Sequence, residues 1–561
     1  MDEQPNLREF LNEVSSFSEE TDAKPTAGKA ETLGAIGEVL EIAGSGSQIR
    51  IDGSALTALD KHKDPSVAMS GQVGSQVKVT VGQNWLIANV RTMRAGGNGE
   101  ILAHVDFLGE GTRDSAGKLS SFRRGVTRYP VPGARVHPVT TNDLRAVFAA
   151  SEEANIEIGT VYPTDDIRGA LYVDPMLSKH FAVLGSTGTG KSTSVALILH
   201  RISQLSPEGH IVMIDPHGEY SAAFKGCGEL FNVDNLQLPY WLMNFDEHCE
   251  VMLTTHGSER QRDADILAKC LLAARTKGKD MSQYGKVTVD SPIPYLLADL
   301  NTILVNEMGK LERAGDTLPY QRLKTKLDEL RADPRYTFMF SGMLVSDSMP
   351  SLLAKLFRLP SHGKPISIVD VSGVPSEITS VVVSVLARMV FDYAIWSRTE
   401  AQRPLLLVCE EAHRYVPKDE TQENGQAVRR ILERIAKEGR KYGVSLGLIT
   451  QRPSDLAEGV LSQCGTIVAM RLNNERDQAC VRAAMPEGAR GFLDAIPALR
   501  NRECIVCGEG VAIPLRVRFD DLEPEKRPAS SDPSFARLWR ETGDEEGIIQ
   551  RTVKRWRGHG R

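Results

Sequence analysis

Residues 185–192 read Gly-Ser-Thr-Gly-Thr-Gly-Lys-Ser, which is a complete G-x-x-x-x-G-K-[ST] phosphate-binding loop. The apolar stretch Phe181–Leu184 before the loop predicts a strand, and Thr193–His200 after it predicts a helix with an apolar face. A strand, a glycine loop and a helix N-terminus form the context that this motif requires. The alternative, a glycine-rich turn with an exposed lysine, does not account for the full motif in this context. The sequence therefore predicts a nucleotide site.

The residues of this loop are predicted to bind phosphate and metal. Backbone N–H groups would surround the phosphates of ATP, assisted by the helix dipole. Lys191 would reach the β- and γ-phosphates, and the Ser192 hydroxyl would bind Mg²⁺. The predicted nucleotide-binding residues are Gly185, Ser186, Thr187, Gly188, Thr189, Gly190, Lys191, Ser192 and Thr193.

Two acids follow the apolar stretch Pro404–Cys409, which is predicted to be a strand. Glu410 is predicted to hold Mg²⁺ through water, and Glu411 to polarise the water that attacks the γ-phosphate. Gln451, at the end of the next predicted strand, could orient the same water or sense the γ-phosphate. Solvated acids and an ordinary strand-terminal glutamine are the alternatives.

Composition limits the classes of protein that fit. The formal net charge is -6, so contact with nucleic acid would need local basic patches or a ring-shaped assembly. No uninterrupted apolar stretch is long enough to cross a bilayer, and the most apolar helical run, Ser380–Trp396, carries Arg388 and Asp392. No secretory signal is evident, and the eight cysteines are thinly spread. We expect a cytoplasmic protein without a membrane segment.

The hydropathy pattern changes along the chain and predicts an α/β fold, with a RecA-like P-loop ATPase core, an N-terminal small β-barrel and a helical insertion. Alternating strands between 37 and 107 indicate the barrel, and 123–133 is predicted to be the linker that leaves it. A short helix is predicted around Leu7–Phe17. The predicted regions are a flexible acidic tail (1–30), the barrel (31–135), the ATPase core (136–250 and 363–520), the insertion (251–362) and a C-terminal extension (521–561).

Three further sets of residues have two interpretations each. Arg440 could stabilise charge on the γ-phosphate of a neighbouring subunit, but its spacing alone favours a basic helix end before Gly443. Cys504 and Cys507 form a CxxC pair. We interpret them as core cysteines, because a structural zinc site needs four ligands and the sequence has no second CxxC and no His-x-x-x-His. The remaining candidates are Arg452 and Arg471 as weaker alternatives to Arg440, and His217 and His413 as neighbours of the motif carboxylates rather than metal ligands.

Six motifs occur in one order: the phosphate loop, Asp215–Tyr220, Glu410–Tyr415, Glu438–Gly443, Thr450–Pro453 and Leu461–Gly465. Together they resemble the HerA family of hexameric DNA-translocating ATPases, in the FtsK/HerA superfamily. The predicted barrel resembles that family's HAS barrel. The resemblance spans roughly residues 35–520.

The resemblance implies a homohexamer with ATP sites between subunits and double-stranded DNA in a central pore. It implies that Glu411 is the catalytic glutamate and that Arg440 acts in trans. It also implies a partner, either a NurA-type nuclease or a sirtuin-type NAD-cleaving or nuclease effector of antiphage defence. Glu410 departs from the family, where many members have Asp.

The predicted function is ATP-driven DNA translocation or unwinding. The alternatives are an ATP-gated hexameric scaffold for an effector, and a conjugation or secretion ATPase of the VirB4/TraG type. Arg429 and Arg430, which follow the polar stretch Lys418–Gly425, are candidate pore residues, with a solvated helix face as the alternative. The basic segment Arg551–Arg561 could contact DNA or brace a neighbouring subunit.

Overall fold

In this computed structural model, the described part of the chain runs from residue 33 to residue 558. Short gaps fall at 98, 115–116, 150–151, 281, 283, 312–313, 342–343, 345, 420–424, 486–489, 530–533, 542 and 544. The predicted helix around Leu7–Phe17 lies outside the described residues, as do the whole acidic tail and the centre of the Lys418–Gly425 loop.

The first sheet is a small closed barrel, as predicted. Its strand order is β2-β1-β7-β3-β4-β5, a pairing between β2 and β5 closes it, and β6 adds to β5. The inner side chains form their own core, which includes Ile49, Val79 and Leu86. The strands are β1 (Gly37–Ile42), β2 (Gly46–Asp52), β3 (Gln76–Val81), β4 (Asn84–Ala95), β5 (Glu100–Arg113), β6 (Leu119–Arg124) and β7 (Arg135–Pro138), and helices α1 (Gly53–Leu59) and α2 (Pro65–Ala68) lie between β2 and β3.

The segment predicted to leave the barrel belongs to it. Strand β7 pairs with both β1 and β3. Residues 123–133 therefore connect two barrel strands, and the linker prediction was wrong. The four residues of β7 are too few for an alternation to stand out, which is why the sequence pattern missed them.

The second sheet is the ATPase core, with the order β12-β13-β11-β14-β15-β10-β16-β17-β18-β8-β9. From β12 to β16 the neighbouring strands are parallel, and from β16 to β9 they are antiparallel. The strands are β8 (Asn155–Val161), β9 (Arg168–Tyr172), β10 (Phe181–Leu184), β11 (Ile211–Asp215), β12 (Gly228–Phe231), β13 (Ile366–Asp370), β14 (Leu405–Cys409), β15 (Val444–Thr450), β16 (Thr466–Met470), β17 (Glu503–Gly508) and β18 (Leu515–Phe519).

Helices follow most of the parallel strands. They are α3 (Thr141–Phe148), α4 (Val173–Ser178), α5 (Lys191–Leu205), α6 (Phe245–Met252), α7 (Gly257–Thr276), α8 (Leu297–Met308), α9 (Ala314–Ala332), α10 (Thr337–Phe340), α11 (Met349–Leu356), α12 (Ser376–Trp396), α13 (Gln426–Tyr442), α14 (Glu458–Leu461), α15 (Glu475–Ala484), α16 (Arg490–Leu493), α17 (Phe535–Leu538) and α18 (Glu545–Gly558). Helices α6 to α11 lie between β12 and β13, and of these α7 to α11 fall within the predicted helical insertion (251–362). The division into domains stays a prediction.

Helix α12 is long and apolar enough to cross a membrane, but 67% of its most apolar window is buried inside this fold. The side chain of its charged residue Arg388 is only 13% exposed, and its Nη2 lies 2.9 Å from Oε2 of Glu247 on α6. A buried charge is tolerated when it is paired and hydrogen-bonded. The ion pair therefore joins α12 to α6, the helix that precedes the predicted insertion.

Candidate nucleotide site

The phosphate loop starts from the middle of the sheet. Strand β10 lies between β15 and β16, and α5 begins at Lys191 directly after the loop. Gly188 and Gly190 have φ values of +77° and +93°, which other residues rarely adopt. The lysine is only 8% exposed. The local structure is the anion-binding turn that the motif predicts.

The two acids lie one strand away from the loop. Strand β15 separates β14 from β10, so the carboxyl ends of all three reach the same edge of the sheet. Glu410 is 4% exposed and Glu411 is 6% exposed. Burial raises the pKa of the Glu410 carboxyl to about 7, against the opposing effect of the Lys191 ammonium. The structure thus places lysine and acid close enough to interact.

Glu411 has one oxygen without a hydrogen bond among the described residues. This atom, Oε2, is buried and lies 3.2 Å from Nδ1 of His413. Burial lowers the pKa of His413, and its Nδ1 also lies 3.0 Å from the Thr450 hydroxyl. Burial thus favours the neutral form of the ring that contacts Glu411. Glu411 also adopts φ +51°, an uncommon conformation for a side chain other than glycine.

Gln451 meets the phosphate loop directly, since the Thr187 hydroxyl donates a hydrogen bond to its Oε1. Both residues line a cavity of about 400 Å³ next to the loop, together with Arg452. Arg471 contributes its carbonyl, which accepts from the Ser186 N–H. Gln451 therefore lies directly beside the phosphate loop.

Arg440 lies at the opposite edge of the sheet. It belongs to the last turn of α13, which Gly443 ends, and it lines a groove of about 1060 Å³. The same groove contains the starts of β11, β14 and β15, whereas the acids and Gln451 follow strand ends. The seven residues of β15 span about 20 Å at roughly 3.3 Å each. Arg440 is thus not brought together with the phosphate loop of its own chain.

The donor set suits ATP and Mg²⁺. The Ser192 hydroxyl is a hard oxygen ligand of the kind that Mg²⁺ prefers, and the Glu410 carboxylate could accept from one of the several waters that Mg²⁺ keeps. The unpartnered Oε2 of Glu411 is a buried acceptor beside them that one such water could satisfy. The residues present therefore fit a bound Mg²⁺–nucleotide.

The remaining candidates have other environments. Cys504 and Cys507 are both buried free thiols, and the described residues contain no group of three or more metal-ligating side chains. The His217 side chain is exposed and only its backbone N–H binds Asp215.

The two arginines proposed for the pore differ. Arg429 is 11% exposed and lies 2.9 Å from Glu433, which makes it a poor phosphate contact. Arg430 is 64% exposed and lies 2.7 Å from Asp246. In a single subunit, Arg430 therefore fits the alternative interpretation, in which it belongs to a solvated helix face.

The sequence did not indicate two residues of the site. Tyr220 donates a 2.9 Å hydrogen bond to Oε2 of Glu410, and only its place in the Asp215–Tyr220 motif after a strand pointed towards it. The N–H of Arg502, just before β17, donates to the Thr189 carbonyl within the phosphate loop. No local sequence pattern indicates Arg502, because it reaches the phosphate loop only through the antiparallel pairing of β17 with β16.

A phosphate loop, strand-end acids and a strand-end glutamine at one edge of a largely parallel sheet define a P-loop ATPase with a RecA-like core. The protein is thus a nucleotide-binding, ATP-hydrolysing enzyme. Residues 156–390 match the family model described as the central domain of the helicase HerA. The resemblance to the HerA family is therefore confirmed over this segment.

Relatives match over most of the chain. A DNA double-strand break repair helicase HerA from Pyrococcus furiosus is 25% identical over 511 residues, which is 84% of this chain and 88% of the relative. The HerA helicase of Sulfolobus acidocaldarius is 24% identical, over 76% of this chain and 80% of its own. Among solved structures, VirB4 of Thermoanaerobacter pseudethanolicus is similar with a TM-score of 0.48 and 16% identity, covering 67% of this chain and 99% of that one. The conjugative coupling protein TrwB has a TM-score of 0.43 and 14% identity, over 69% and 98%.

Proposed function

We propose that this protein is a DNA translocase or helicase of the HerA type, which works as a homohexamer and uses Mg²⁺–ATP. The observation that carries the proposal is the arrangement of the phosphate loop and the acids at one edge of the sheet with Arg440 at the other. Lys191 and Ser192 would hold the β- and γ-phosphates and Mg²⁺, Glu410 would bind Mg²⁺ through water, and Glu411 would polarise the attacking water. Bound Mg²⁺ supplies charge neutralisation on the phosphates.

The position of Arg440 supports a ring. An arginine that stabilises the γ-phosphate can come from another subunit. Arg440 lies far from the phosphate loop of its own chain. A head-to-tail contact between neighbours would place Arg440 of one subunit beside the phosphate loop of the next. Such heterologous contacts close into rings when the rotation permits.

DNA is the substrate that the relatives support, since their names place them in double-strand break repair. A motor that moves along any sequence would grip phosphates rather than bases. With a net charge of -6, the grip must come from a few basic side chains repeated around the ring. The exposed candidates are Arg430 and, on α18, Arg551, Lys554, Arg555 and Arg557.

We further propose a partner of the NurA-nuclease type, or a sirtuin-type or nuclease effector, in DNA end processing or antiphage defence. The family resemblance supports this step. The ring would then couple ATP turnover to the effector's access to DNA. We propose a cytoplasmic location for the same reason.

The experiment measures ATP turnover by the purified protein with and without linear duplex DNA, alongside displacement of a third strand from a triplex. Turnover that DNA stimulates, together with displacement, is expected for the wild type. Lys191→Ala should abolish both, since the ammonium no longer stabilises the phosphates. Turnover that needs an added effector and displaces no strand would replace the motor with a scaffold, and normal hydrolysis in Lys191→Ala would refute the site.

A further inference from the structure

A buried phenol contacts Glu410, one of the two groups that are assigned to Mg²⁺. The Tyr220 side chain has no exposed surface, and its Oη lies 2.9 Å from Oε2 of Glu410. The hydrogen bond therefore joins the segment that follows β11 to the acid that follows β14.

The backbone fixes the position of Tyr220. Asp215, the last residue of β11, is fully buried, and its carboxylate accepts from the N–H groups of His217, Gly218 and Tyr220 at 2.9 to 3.1 Å. The tyrosine ring stacks on Phe224, with centroids 6.1 Å apart and an interplanar angle of 7°. The phenol is thus held from both ends, and a rigid donor is presented to the acid.

We propose that Tyr220 is a positioning residue, which fixes the Glu410 carboxylate in the orientation that binds Mg²⁺ together with Ser192. The inference rests on the proposed function, because it assigns the phenol a part in the same site. The phenol occupies Oε2 of Glu410, so Oε1 would be the oxygen that accepts from the metal's water. Partners that orient a ligating carboxylate typically contribute about 10–100-fold to metal affinity.

Tyr220→Phe removes the hydroxyl and keeps the ring on Phe224. Tyr415→Phe is the matched control, because this tyrosine is 2% exposed and its hydroxyl has no hydrogen bond in the described part of the chain. Mg²⁺ is titrated at fixed concentrations of a methylanthraniloyl-ATP probe, whose fluorescence reports binding, and in parallel assays of ATP turnover.

We expect Tyr220→Phe to need about tenfold more Mg²⁺ for half-maximal binding and turnover. Probe affinity without Mg²⁺ and turnover at saturating Mg²⁺ should change little, and Tyr415→Phe should match the wild type. In a Glu410→Gln background, Tyr220→Phe should add no further shift, since the two groups act as one unit.

Unchanged Mg²⁺ dependence in Tyr220→Phe would overturn the inference, as would an equal shift in Tyr415→Phe or an additive shift in the double variant. Failure of Tyr220→Phe to fold, detected by circular dichroism, would assign the phenol to stability and overturn it too. Absence of nucleotide binding in the wild type would instead remove the proposed function, and the inference with it.

Discussion

Two inactive variants should restore each other's ATPase activity when they are mixed. Lys191→Ala lacks the phosphate contact, and Arg440→Ala lacks the arginine that we assign to the neighbouring subunit's site. Each alone should be inactive, with Arg440→Ala slowed at least about 10³-fold. The roughly 20 Å length of β15 separates Arg440 from its own catalytic edge, so it cannot act in cis.

The extent of the recovery depends on how the two variants are distributed around a ring. A working interface needs an Arg440→Ala subunit to supply the phosphate loop and a Lys191→Ala subunit to supply the arginine. With equal amounts and random assembly, about one interface in four meets both conditions. Turnover of the mixture, after joint unfolding and reassembly, should approach about a quarter of the wild-type rate.

The control replaces Arg440→Ala by Lys437→Ala, an exposed basic residue of the same helix, which should retain activity by itself. The cis alternative predicts that the mixture stays as inactive as its parts. That outcome, with mixed rings verified by native mass spectrometry, would refute the assignment of Arg440. Full activity of Arg440→Ala alone would refute it more directly.

Three further results are expected. Glu411→Gln should bind ATP normally but turn it over at least about 10²-fold more slowly, because the amide cannot polarise water as the carboxylate does; rapid single turnover would contradict this role. Glu247→Ala should lower the unfolding midpoint in urea by an amount equivalent to about 3 kcal/mol, since it leaves the Arg388 charge buried without its main partner, whereas Glu247→Leu with Arg388→Met should recover most of the loss. Burial lowers the pKa of His248 to about 3, so below about pH 6.5 this side chain takes up a proton in the unfolded chain but not in the folded chain. The free energy of unfolding should therefore fall by about 1.4 kcal/mol per pH unit from about pH 6.5 towards 3. His248→Asn should make the melting temperature less dependent on pH between about 7 and 5, whereas substitution of the exposed His256 by Asn should not.

Local patterns were enough to predict the centre of the ATPase. The phosphate loop, β10 and α5 are contiguous in sequence, and their motif carries its own structural requirement. The acids and Gln451 end strands whose apolar runs are typical of buried parallel strands, and such strand ends converge at one edge of a sheet. These predictions needed no knowledge of which strands pair.

Contacts between distant segments were not predictable in this way. Strand β7 joins the barrel across almost a hundred residues from β1, and Tyr220 reaches Glu410 from 190 positions away. The place of Arg440 also depends on strand order, because only the assembled sheet shows which edge faces the end of α13. Local sequence patterns do not show which distant segments come into contact, so these contacts are seen only in the structure.

The pairing of β8 with β18 sets an order of events during protein synthesis. Val161 lies opposite Val517, so the hairpin that precedes the phosphate loop must wait for about 350 further residues before its neighbour exists. At the usual speed of translation this interval lasts roughly 20 to 70 s. The barrel can close long before, because all of its strands come from the first quarter of the chain. A ribosome that stalls before residue 515 would therefore release a chain with a complete barrel and a catalytic sheet that still has unpaired edge strands. Such strands can pair with other chains and cause aggregation.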